Sequence, residues 1–125
     1  MSDGIRFSGV TVNAPDALAL AGFYAEITGG VAAGDAHWAT STGLGGRIGF
    51  QQVDDFRAPQ WPDGEVPMQM HLELLVDDLV ATDARVVAAG AIRFEFQPNA
   101  DHCLVYADPV GHPFCLTTRD DPLAP

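Results

Sequence analysis

The sequence predicts an α+β fold made of two tandem units, each a strand, a helix and three further strands (βαβββ). Apolar periodicity carries the first argument: it changes from two residues to about 3.6 and back, once in each half of the chain. The halves also correspond locally. Gly9-Val10-Thr11-Val12 matches His71-Leu72-Glu73-Leu74, Gly29 matches Gly90, and Arg47-Ile48-Gly49-Phe50-Gln51 matches Gly111-His112-Pro113-Phe114-Cys115. Such an internal repeat is a stronger fold clue than any single motif. Finally, the stretch 54–67 has neither period and carries Pro59, Pro62 and Pro67 around Trp61, as a connector would. The expected organisation is one domain over 1–125: a first unit at about 5–53, the connector, a second unit at about 68–118 and a short acidic tail at 119–125.

In chain order, Ile5 to Val12 reads as a strand. Pro15 to Ile27 reads as a helix, with Leu20, Phe23, Tyr24 and Ile27 on one face, Pro15 in the first turn and Gly29-Gly30 as the stop. Val31 to Ala33, His37 to Thr42 and Arg47 to Val53 read as three short strands separated by glycine-containing turns. In the second half, Gln69 to Val76 is the opening strand. A helix follows from about Asp78 to Ala89, with Leu79, Val86 and Val87 on one face and Gly90 as the stop. Ile92 to Phe96, His102 to Ala107 and His112 to Thr118 complete the unit, with Asp108-Pro109-Val110-Gly111 as a turn.

Composition narrows the function. A net charge of −11, from 17 acidic residues against 6 Lys+Arg, opposes a phosphate backbone, so nucleic acid is excluded as a partner. No apolar run is long enough to span a bilayer, so no membrane partner is expected. The segment MSDGIRFSG lacks the apolar core of a secretory signal, and Cys103 and Cys115 lack CxxC spacing, so a reduced pair in the cytoplasm is expected. All fixed side-chain cations are arginines, which rules out Schiff-base chemistry through a lysine.

The chemical content concentrates in Met68 to Asp78, MQMHLELLVDD. Leu72, Leu74 and Val76 form an apolar face, and His71 and Glu73 share the opposite one. An imidazole beside a carboxylate can act as a general base or donate to a ligand oxygen. The same pair can equally be a satisfied polar couple with no chemistry. Arg47 can bind a carboxylate or simply be solvated. Trp61 can cover an apolar ligand or pin the connector. Cys115, between Phe114 and Leu116, reads as a small apolar filler or a pocket wall, and His112 as a turn residue.

The paired unit order, Phe23-Tyr24 followed by Gly29-Gly30, the HLELLVDDL run and the closing YADPVGHPFCL together resemble the vicinal oxygen chelate superfamily. That superfamily includes glyoxalase I, bleomycin-resistance proteins and extradiol dioxygenases, and within it the chain is most similar to short glyoxalase-like proteins. The resemblance implies paired cupped mixed sheets enclosing a pocket. It also implies up to four inward metal-ligand positions, which fall here on Gly9, Gln51, His71 and Cys115. Glycine supplies no ligand, and cysteine stands where the family has glutamate. The expected function is therefore metal-independent binding of a small organic molecule by Arg47, Gln51, Trp61, His71, Glu73 and Cys115. The alternative is a lyase or isomerase acting on a small carbonyl compound, with His71 and Glu73 as acid–base groups. In that reading His71, Gln51 and Cys115 would hold a divalent ion such as zinc or nickel. A homodimer is the expected assembly.

Overall fold

The structure, a computed structural model, describes residues 4–43 and 45–119. Two compact units divide between Phe56 and Arg57. Each has the βαβββ order that the repeat predicts.

The first unit contains β1 (Val10–Ala14), α1 (Ala17–Thr28), β2 (Val31–Gly34), β3 (Trp38–Gly43) and β4 (Gly46–Gln52). Its strands form one mixed sheet in the order β1-β4-β3-β2, with β1 and β4 parallel and the other pairs antiparallel. Helix α1 starts at Ala17, two residues later than the expected Pro15. The Asp16 carboxylate accepts from the Ala19 N–H at 3.1 Å, so Asp16 is the cap and Pro15 stands outside the helix. Gly29 ends it at φ 72°, a left-handed conformation that costs glycine little. The buried side of α1 lays Leu20 and Tyr24 on the sheet, and Tyr24 stacks on Phe50 at 5.7 Å between ring centroids. Burying one such aromatic ring stabilises the unit by roughly 1.5–3 kcal/mol. Strand β1 runs Val10–Ala14 and not Ile5 to Val12; Ile5 and Phe7 are exposed, and the ladder with β4 begins only at Val10↔Ile48.

The second unit contains β5 (Leu72–Leu75), α2 (Leu79–Ala89), β6 (Ile92–Arg93), β7 (Cys103–Ala107) and β8 (Pro113–Thr117). The sheet order β5-β8-β7-β6 repeats the first pattern, β5 and β8 being parallel. Strand β5 is shorter than the expected Gln69 to Val76. Its partner β8 opens at Pro113, which has no N–H to give, so the ladder starts at Leu72↔Phe114 and His71 precedes it. Asp78 caps α2 by accepting from the Val80 and Ala81 N–H groups at 2.9 and 3.1 Å. Val86 is fully buried, whereas Val87, expected beside it, is half-exposed. Tyr106 stacks on Phe114 at 5.4 Å and donates from its hydroxyl to Asp83 on α2 at 2.6 Å. Strand β6 stops at Arg93, three residues short of the expectation, and the Gln97 amide then takes over the edge of β7 by bonding both main-chain groups of Val105.

The connector residues after Arg57 fold back within this second unit. Gln60 and Val66 close a loop through main-chain and side-chain bonds of 2.6 and 3.1 Å. Trp61 packs against Phe94 and Phe96 with centroids 5.1 and 5.4 Å apart. Among the described residues, no helix is long and apolar enough to cross a membrane.

Candidate functional site

In the first unit, β1, β4 and β3 align three residues at a time across the sheet. On the face turned away from the α1 core, Thr11 pairs with Gly49 and Gly49 with Thr40, while Asn13 pairs with Gln51 and Gln51 with Trp38. Arg47 pairs with Thr42 one step earlier along β4. Alternation along each strand puts all of these on one face. Phe50, Ala39 and Ser41 take the other face and are buried.

Among these paired strand positions Gly49 is therefore the one without a side chain, with Thr11 and Thr40 on either side of it. The space above it is a hollow of about 280 Å³, lined by Thr11, Thr40, Trp38, Arg47 and the Ser8–Gly9 approach to β1. Gly9 bounds its far side. A Cβ there would come within 2.8 Å of the Arg47 carbonyl oxygen and 3.7 Å of its Nε, so the absent side chain is what lets the two strands and the guanidinium close up. The guanidinium donates to the Ser8 hydroxyl. The Gln51 amide donates to Asn13 Oδ1 at 2.8 Å, so these two side chains form a neutral pair at the other end of the face.

The second unit holds the remaining sequence-derived residues. His71 Nε2 lies 3.1 Å from Glu73 Oε2, with the imidazole about one-third exposed and the carboxylate about half. Their spacing of two along the chain puts them on one side, as the sequence predicts. Glu73 and Cys115 are register partners in β5 and β8, which sets carboxylate and thiol on the same face. Cys115 is buried, with the Cys103 thiol beside it. Burial first, then the Cys103 and Glu73 charges, push the Cys115 thiol up to about 12. A thiol held protonated in this way is not a nucleophile. Trp61 sits in its aromatic cluster with Phe94 and Phe96. His112 lies in the turn, where its N–H donates to Asp108 Oδ1 at 3.0 Å.

The four ligand positions implied by the resemblance do not suit a divalent ion. Gly9 has no room for a side chain, and Gln51 and His71 keep one neutral donor each, Oε1 and Nδ1, beside their bonds to Asn13 and Glu73. Hard ions prefer charged oxygen donors, which this set lacks. No group of three or more His, Cys, Asp or Glu residues able to hold a metal occurs among the described residues.

Sequence reasoning missed Thr11, Thr40 and Trp38. The signal was present in the alternation Trp38-Thr40-Thr42 against Ala39-Ser41, but which face those positions share with Arg47 depends on cross-strand register.

Comparison with known proteins agrees with this architecture. Residues 9–117 match the family model described as a glyoxalase-like domain. The fosfomycin resistance protein FosX of Listeria monocytogenes superposes with a TM-score of 0.67 at 13% identity, covering 90% of each chain. A point mutant of that protein has also been solved with Mn(II) and 1S,2S-dihydroxypropylphosphonic acid. A glyoxalase/bleomycin resistance/dioxygenase family enzyme of Burkholderia phytofirmans gives 0.66 at 16% identity, covering 87% of this chain and 94% of that one. The oxidase ChaP-H2 gives 0.67 at 21% identity over 95% and 97%. At these identities the likeness is one of fold. A search of curated proteins found no match.

Proposed function

Since the chain belongs to the glyoxalase-like domain family, in the vicinal oxygen chelate superfamily, we propose that it binds a small organic molecule without a metal. The observation that carries this reading is the hollow over Gly49, a concave site with a cation, hydroxyls and an indole converging on it. His71, Glu73, Cys115 and Trp61 are proposed as ligand-binding residues of the second unit. The unpaired thiols of Cys103 and Cys115 fit a cytoplasmic protein, and a homodimer is the proposed assembly.

A thermal-shift screen of organic compounds and of divalent ions tests this directly. Stabilisation by at least one organic compound, with none by zinc, nickel or manganese, is expected. Stabilisation by an ion alone sinks the proposal. Stoichiometric metal in the purified protein that is lost in His71→Ala would do the same.

A second reading rests on one contact, the 3.1 Å bond between His71 and Glu73. An imidazole so oriented can take a proton from carbon next to a carbonyl, as a lyase or isomerase requires. Deuterium exchange alpha to a carbonyl, abolished in both His71→Ala and Glu73→Gln, supports that reading. Exchange that survives both substitutions removes them from any mechanism.

A further inference from the structure

We infer that the hollow over Gly49 selects a planar aromatic carboxylate, with the anionic group held by Arg47 and the hydroxyls of Thr11 and Thr40 and the ring against Trp38. The inference rests on the small-molecule reading above and assigns its ligand class.

Charge is the first argument. The chain carries 17 acidic residues, yet no acidic residue occurs in any of β1–β4. Arg57 and Arg93 each face a carboxylate, Glu65 and Asp83, whereas Arg47 has no carboxylate partner among the described residues. Its contact is the neutral Ser8 hydroxyl, which orients the guanidinium and leaves its charge uncompensated. On a protein of net charge −11, an anion is repelled everywhere except where such a local cation outweighs the overall field.

Shape is the second. A guanidinium offers paired N–H donors in a plane, which match the two oxygens of a carboxylate. Thr11 and Thr40 flank the empty Gly49 position from opposite sides, so their hydroxyls can donate to an oxygen seated over that glycine. Trp38, 52% exposed and two residues from Thr40 on the same face, supplies a flat apolar wall. The Asn13–Gln51 amide pair is satisfied internally and adds no charge. Together these features distinguish an aromatic acid from a neutral aromatic compound and from an aliphatic acid.

The test uses the full chain with 2-naphthoate and its uncharged counterpart 2-naphthamide, measured by calorimetry and by NMR of the two indole N–H signals. The expected result is that naphthoate binds at least tenfold more tightly than naphthamide and shifts the Trp38 indole signal. Arg47→Gln is expected to weaken naphthoate at least tenfold, while Arg57→Gln leaves it unchanged. Equal binding of acid and amide, or insensitivity to Arg47→Gln, overturns the anion assignment while the small-molecule reading stands. Equal losses in Arg47→Gln and Arg57→Gln overturn it too, because the charge would then act only at long range. Failure of naphthoate to bind overturns it even if other compounds stabilise the protein in the thermal-shift screen. Failure of every organic compound in that screen removes both proposals.

Discussion

Thr11 and Gly49 stand side by side in parallel register, and a methyl group on Gly49 would lie 2.9 Å from the Thr11 hydroxyl oxygen. The neighbour that must give way is a hydroxyl on a rotatable side chain, not main chain, and Gly49 is not among the positive-φ glycines. Gly49→Val should therefore fold, since valine suits a central strand. It should also fill the hollow and displace the hydroxyl. We expect unchanged far-UV circular dichroism with at least a tenfold loss of naphthoate affinity; retained affinity would show that the ligand sits elsewhere.

Asp108 ties together the second unit's last turn. It is 2% exposed, and its Oδ1 accepts from the N–H groups of Val110, Gly111 and His112 at 3.1, 3.0 and 3.0 Å. Removing the carboxylate takes this acceptor from Val110 and His112, while the Gly111 N–H keeps the Asp108 main-chain carbonyl at 2.9 Å. Unmet donors in a partly buried turn cost about 1–3 kcal/mol each at most and are not additive. Asp108→Ala should lower stability by about 2–4 kcal/mol in urea titration, on that scale. Asp108→Asn, which keeps an accepting oxygen, should recover a large part of the loss.

Asp78 offers a smaller and cleaner test. Its carboxylate accepts from Val80 and Ala81 N–H groups at an exposed helix start, so little besides the cap changes on substitution. Asp78→Ala should cost about 1 kcal/mol, the usual magnitude for a lost N-cap, read as a shift in urea midpoint with unchanged slope. Asp78→Ser should cost much less. Equal losses in both variants would mean that the carboxylate acts through something other than capping.

Local chemistry was the legible part of this sequence. Both helices are closed by a glycine and the second is announced by Asp78, whereas Asp16 was hidden behind Pro15; the His71–Glu73 pair follows from a spacing of two along one chain segment. The Gly49 hollow was not legible, for a physical reason. It requires Thr11, Gly49 and Thr40 to fall in one row across three strands, and a slip of one residue would turn any of them to the opposite face. Reading the first strand as Ile5 to Val12 centred it before Thr11, and Asn13 fell outside it altogether. Gly9 was legible as a missing ligand, but not as the place where the Arg47 backbone and guanidinium close against β1. That closeness is a contact between distant parts of the chain.

The Cys115 thiol links burial to alkaline stability. Its ordinary value is 9.0, and burial with the neighbouring Cys103 and Glu73 raises it to about 12 in the folded protein. Below about pH 9 both states keep the proton, and the full stability is present. Between about 9 and 12 the unfolded chain loses the proton while the folded chain holds it, so stability falls as pH rises, by at most about 1.4 kcal/mol per pH unit for one group. The Tyr106 hydroxyl, raised by burial and by its bond to Asp83, acts in the same direction at higher pH. Urea midpoints should therefore decline from pH 8 to 10.5, and the decline should be shallower in Cys115→Ala. Iodoacetamide at pH 8 should label Cys115 far more slowly in the folded protein than in urea, because the thiolate is the reacting species. Rapid labelling of the folded protein, or an unchanged slope in Cys115→Ala, would show that the thiol is not held protonated by its surroundings.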